Sequence, residues 1–159
     1  MSIPRPTLPI FTSVLGVLGI AGGVYNFVSP AEGAKGFGLT PASKTPPTAH
    51  SKAFEHAFIL VHGIRNVGVG LTTVGLVLFW QFSPLCRASP QAALAVRQCL
   101  GISLAAGTVV GLGDAWIIKR FSDAEGVETE AREVAVIQSA GHAVTAVAIA
   151  GLGLTYLLV

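Results

Sequence analysis

Residues 54–82 read FEHAFILVHGIRNVGVGLTTVGLVLFWQF, a predominantly apolar run. A helix rises about 1.5 Å per residue and the hydrocarbon core of a bilayer is roughly 30 Å thick, so about 20 such residues span it. The run nevertheless carries His62-Gly63-Ile64-Arg65-Asn66. An arginine, an imidazole and a carboxamide are costly in hydrocarbon and must face protein, water or a bound molecule. An ionisable cluster inside a span is therefore a functional-site hypothesis.

Three further runs have similar length and character: Leu8 to Val28, Ala93 to Ile118, and Val134 to Val159. The 159-residue chain is 52% hydrophobic and 11% charged, with a mean hydropathy of +0.68. Ordinary soluble domains carry roughly 25% charge, so that class is excluded. The runs are continuously apolar rather than alternating, which excludes a closed β-barrel. The expected fold is all-α, a four-helix transmembrane bundle forming one integral membrane domain over residues 1–159.

The first run is expected to stay as a span rather than be removed as a leader. It has no positive flank beyond Arg5, and Pro4, Pro6 and Pro9 crowd its start. Ser29-Pro30 and Ser83-Pro84 are expected to end the first two helices, and Ser89-Pro90 to open the third. Ser29 to Ala53, including Thr45-Pro46-Pro47-Thr48, reads as a loop with a short interfacial piece over Ala31 to Phe37. Asp123 to Glu133 is charge-dense and reads as a solvated loop or an exposed extension of the last helix.

The net charge of +2 and the lack of a basic stripe argue against nucleic acid as a partner. Cys86 and Cys99 form no CxxC, so dithiol redox chemistry is unsupported. The sequence has no HxxxH or HExxH spacing, phosphate loop or dinucleotide fingerprint, and no metal or cofactor is expected. Lys35, Lys44, Lys52, Lys119, Arg120 and Arg132 flank the first and third loops, against Arg5, Arg87 and Arg97 on the other side. The positive-inside rule then puts those loops in the cytosol and the termini in a lumen, with the endoplasmic reticulum as the expected membrane.

Depth brings the polar residues together. Tyr25 and Asn26 close the first span, and Glu55, His62, Arg65 and Asn66 lie in the first half of the second. Asp114 lies near the end of the third, and Gln138 and His142 in the first turns of the fourth. With alternating helix directions, all share one half of the bilayer. At about 100° per residue, Glu55, His62, Asn66 and Thr73 form one stripe with Arg65 to its side. Ser103, Gly107, Gly111 and Asp114 form another, and so do Ala135, Gln138, His142 and Thr145. Gly107-xxx-Gly111 and the glycines at 16, 19, 22 and 23 allow close helix approach. A polar cavity opening toward the first and third loops is expected.

These groups form an acid–base set. Asp114 can act as base, with Arg65 orienting it or stabilising developing oxyanion charge. His142 and Tyr25 are acid candidates. His62, Asn66, Asn26, Gln138 and Glu55 are positioned to hold substrate or water. Opening an epoxide requires such a set: an activated water or hydroxyl, and an acid for the departing oxygen. Each residue also has a structural reading. Arg65 and Asp114 can simply form an ion pair, His62, Asn66 and His142 can bond between helices, Tyr25 and Glu55 can anchor at the interface, and His50 and His56 belong to the surface. A non-catalytic scaffold with a register-locking cluster is the rival class. A proton-coupled carrier is a third, although four spans without a broken helix pair suit it poorly unless the chain oligomerises. A homo-oligomer is compatible with the sequence.

Four motifs carry a resemblance. Gly19-Ile20-Ala21-Gly22-Gly23-Val24-Tyr25-Asn26, His62-Gly63-Ile64-Arg65-Asn66, Gly111-Leu112-Gly113-Asp114 and Gly141-His142 resemble a fungal family of small four-span membrane proteins, known largely as a domain of unknown function. In size and layout the chain is also similar to small membrane epoxide hydrolases of fungal polyketide clusters. That resemblance implies epoxide hydrolysis or cyclisation on a lipophilic small molecule, and it transfers no catalytic residue.

Overall fold

A computed structural model describes residues 7–40 and 48–158. Pro4, Arg5, Pro6, Lys44, Thr45-Pro46-Pro47 and Val159, which entered the readings above, lie outside the described residues. Every regular element described is a helix: α1 (Thr7–Val28), α2 (Pro30–Phe37), α3 (Ala49–Phe82), α4 (Pro84–Ala88), α5 (Pro90–Ser122) and α6 (Thr129–Leu158). Four of them, α1, α3, α5 and α6, are long and apolar enough to cross a membrane. The protein is a multi-pass helical bundle of the membrane type.

The Ser-Pro pairs set the helix boundaries. Ser83 terminates α3 and starts α4, its hydroxyl accepting from the Leu85 N–H at 3.2 Å. Ser89 does the same between α4 and α5, accepting from Ala92 N–H at 3.3 Å. In each case the following proline takes the first helical turn, where a missing N–H costs nothing. The helices run past the apolar stretches. Thr48 caps α3 through the Ser51 N–H, starting it ahead of Phe54. The acidic segment divides between a turn after Ser122 and the first turn of α6, so both of its readings hold in part.

Two close-packed helix pairs form the frame, α1 on α3 and α5 on α6. Glycine permits the first. A Cβ on Gly23 would stand 2.5 Å from the Gly63 carbonyl oxygen, and one on Gly70 2.5 Å from that of Gly16. The contacts are reciprocal, so the two backbones touch at two points seven residues apart on each helix. Gly101 and Gly153 meet in the same way in the second pair, and Gly111 sits on Ala146. Gly107 meets only Ile149 at 3.9 Å, so Gly111 makes the closer contact of that motif.

The two pairs join along α3 and α5. At the end holding the termini, Val77, Leu100, Leu104 and Tyr156 form a buried cluster, with Trp80 edge-on to Tyr156 at 5.8 Å. There the Tyr156 hydroxyl lies 2.9 Å from Thr12 Oγ1. Thr12 gives its single proton to the Leu8 carbonyl, so Tyr156 is the donor. At the opposite end, α2 folds back against α1, α3 and α6. It inserts Phe37 into a second cluster with Ile59, Ile118 and Ala135. Gly38, at φ +104°, terminates α2 in the left-handed region and sits on Gln138 and Ile118.

Candidate functional site

The site is built across the seam between α3 and α5. Arg65 Nη2 carries two protons and uses both. One goes to Asp114 Oδ2 at 2.6 Å and the other to His62 Nδ1 at 2.7 Å. A guanidinium cannot accept, so His62 Nδ1 presents its lone pair and the proton of the neutral ring sits on Nε2. That Nε2 lies 2.9 Å from Asn66 Nδ2, also a donor, so the carboxamide must be turned over to accept through its oxygen. A relay runs Asp114–Arg65–His62–Asn66, three of its members on one face of α3 at i, i+3 and i+4.

The relay leaves capacity unspent. Arg65 meets Asp114 through one nitrogen and one oxygen, not as a two-point fork. Arg65 Nε is buried and has no hydrogen-bond partner among the described residues. An orphaned buried donor costs roughly 1–3 kcal/mol, so it is a place where a ligand or water oxygen would be held. Asp114 is 7% exposed, and its neighbour Ala115 accepts from Ser139 Oγ of α6 at 2.8 Å, which fixes this stretch of α5.

His142 of α6 faces the same centre across the Phe37 ring, and it forms no ion pair with Asp114 within 4 Å among the described residues. Phe37 lies between the two imidazoles. Its ring is 4.2 Å from that of His62 and 5.2 Å, edge-on, from that of His142. Phe37 also lines an apolar cavity of about 430 Å³ with Ala34, Leu39, Phe58, Ile59 and Phe121. The cavity therefore differs from the one expected. Its wall is aromatic, and Arg65, Asp114 and His142 are not among its lining residues. The physical reason is α2, whose terminal phenylalanine fills the space over the polar groups.

The remaining residues divide. Glu55 lines the cavity and accepts from Ser51 Oγ at 3.0 Å. Gln138 packs its stem on Gly38. Asn26 is buried at the junction of α1, α2 and α3, against Gly33 and Gly63. Tyr25 is 50% exposed on α1, and no hydrogen bond joins it to the relay among the described residues. Phe37 was not among the expected site residues. Its one sequence signal is position, as the last residue of a short proline-started helix before a glycine.

Residues 16–156 match a family described as Domain of unknown function (DUF4267). The chain belongs to this family. The matched region takes in the relay, His142 and Phe37 alike. No curated protein and no solved structure matches the chain.

Proposed function

We propose that this DUF4267 protein is a membrane-embedded enzyme that opens an epoxide on a lipophilic small molecule, by water or by an internal hydroxyl. The resemblance to small membrane epoxide hydrolases of fungal polyketide clusters supports the reaction and a role in fungal secondary metabolism. The positive-inside bias supports an orientation with the first and third loops in the cytosol, and the endoplasmic reticulum is the membrane proposed. The observation that carries the reading is the one-point Arg65–Asp114 pair with an unspent, buried Arg65 Nε beside it. The unspent Nε gives the pair a donor that a bound oxygen can take up, beyond neutralising charge.

In the proposed step, Asp114 takes a proton from water as the oxygen attacks an epoxide carbon. The ring C–O bond breaks and its electron pair stays on oxygen. Arg65 Nε donates to that oxygen as charge develops. His142, entering as the imidazolium, protonates it and becomes neutral; Asp114 then returns its proton to His142 through water, leaving a diol and a reset site. An internal hydroxyl in place of water gives a cyclic ether by the same proton movements. His142 is better placed as the acid than Tyr25, because it packs with His62 around the Phe37 ring whereas Tyr25 is half-exposed on α1. His62 and Asn66 hold Arg65 in position.

The test is turnover of a lipophilic epoxide by purified protein in lipid nanodiscs. Asp114→Asn is expected to lower the rate by about 100-fold or more, in the range of general-base catalysis. Equal rates for the two proteins would remove Asp114 from the chemistry.

A second reading is favoured by a specific observation: the Arg65–Asp114 bond joins the two glycine-packed helix pairs at one end, as the Thr12–Tyr156 bond joins them at the other. In that reading the cluster sets the register of the halves, and the protein is a scaffold. It predicts that Asp114→Asn loses thermal stability and that no lipophilic epoxide is turned over by the wild type.

A further inference from the structure

The cavity under α2 is lined by Phe37, Phe54, Phe58 and Phe121, with Glu55 and Thr40 as its polar members. At about 430 Å³ it falls in the range of small-molecule sites. It lies where α2, the start of α3 and the end of α5 meet. Trp116, exposed on α5 with Arg120 5.2 Å from its ring, marks the same end of the bundle. Tryptophan and arginine in such pairs belong to the headgroup level of a membrane. The cavity is thus at the depth where an amphiphile keeps its head, with aromatic walls for its apolar body.

The polar members decide which head is accepted. Glu55 is acceptor-only when ionised and has one carboxylate oxygen engaged, with Ser51. Thr40 Oγ1 is buried with no hydrogen-bond partner among the described residues. Together they suit a hydroxyl, which can donate to Glu55 and pair with Thr40. They oppose a carboxylate, which would bring a second negative charge to Glu55.

We infer that this cavity is a binding site for a neutral lipophilic alcohol, with Glu55 and Thr40 on its hydroxyl and the phenylalanine rings around its apolar body. The inference rests on the proposed function only in taking this molecule to be the substrate class of the neighbouring relay. Phe37, shared by the cavity and the imidazoles, then separates the bound body from Arg65 and Asp114 and must turn aside for a reacting group to reach them.

The experiment is photolabelling of the full chain in phosphatidylcholine nanodiscs with a long-chain alcohol bearing a diazirine, read by peptide mass spectrometry. Labelling is expected on the peptide holding Phe54 and Phe58, competed by 1-dodecanol about tenfold better than by dodecanoate, a difference of about 1.4 kcal/mol. Glu55→Gln is expected to remove that preference. Ala34→Phe, which fills the cavity from α2, is expected to reduce labelling about fivefold or more, the loss of roughly 1 kcal/mol of binding. Labels scattered over the lipid-facing helices, or dodecanoate competing as well as dodecanol in the wild type, would overturn the site. The alcohol is unreactive, so binding is read without turnover. Site-specific labelling without epoxide turnover would keep the cavity and remove the chemistry; turnover without labelling would do the reverse.

Discussion

Arg65 shows how one side chain can be costly and still be retained. In hydrocarbon it is among the least favourable residues, and here its charge is met by Asp114 and its second proton by His62. A paired buried charge need not stabilise a fold, but an unpaired one is severe. Asp114→Leu is therefore expected to cost roughly 1–3 kcal/mol, since Arg65, 37% exposed, loses its counter-charge but keeps His62. The double variant Arg65→Met, Asp114→Leu should recover most of that loss. Denaturant titration of the three proteins, followed by circular dichroism, checks this, and a double variant no more stable than the single one would contradict it. Tyr156→Phe deletes one buried hydrogen bond and should cost roughly 1 kcal/mol. The same loss should vanish in a Thr12→Val background, where the hydroxyl has no acceptor left to serve. The polar residues of the relay were legible in the sequence because hydrocarbon makes them conspicuous. Phe37 and Tyr156 were not, since an aromatic in a loop or near a span end has many uses and only packing selects one.

Elements here are defined by their ends and by their smallest residues. Serine and proline together stop one helix and start the next, and those boundaries follow from backbone chemistry that the sequence displays. Glycine is harder to read. Gly22 and Gly23 are neighbours in α1, yet a Cβ on Gly22 meets nothing within 4 Å and one on Gly23 meets the α3 backbone. Gly23→Ala should therefore destabilise by roughly 1–3 kcal/mol, since a backbone cannot yield as a side-chain tip can. Gly22→Ala should be neutral or gain up to about 1 kcal/mol from helix propensity. Thermal melts of the two variants in one detergent separate them, and equal shifts would show that the α1–α3 contact is looser than described. The existence of a glycine-packed interface could be expected from the sequence, but the particular glycines could not. Phase around an isolated helix does not say which side its partner occupies.

At the scale of the molecule, two helix pairs are held by different physics at their two ends. The terminal end is closed by apolar packing and the Tyr156–Thr12 bond, while the other end is filled by α2. The charge bias proposes that the α2 end faces the cytosol. Lys119, paired with Asp123, and Arg120 on Trp116 stand at that end. With Cys86→Ala and Cys99→Ala as background, Glu125→Cys should react with a membrane-impermeant maleimide in intact, sealed microsomes. Reaction only after permeabilisation would reverse the orientation. Asymmetry of this kind suits a protein that admits a ligand from one side, because the α2 end carries the aromatic cavity and Phe37 beside the relay.

The sequence by itself determined that this chain is a helical membrane bundle and which half of the bilayer holds its polar groups. Bilayer thickness and the cost of buried charge act on local composition and spacing, which a sequence displays directly. Only the tertiary structure decided that Arg65 spends one proton on Asp114 and another on His62, that Tyr25 stands outside this relay, and that Phe37 covers it. Those outcomes depend on which helix faces touch and how far a connecting segment folds back. Such facts are set by the packing of the whole chain rather than by any stretch of it.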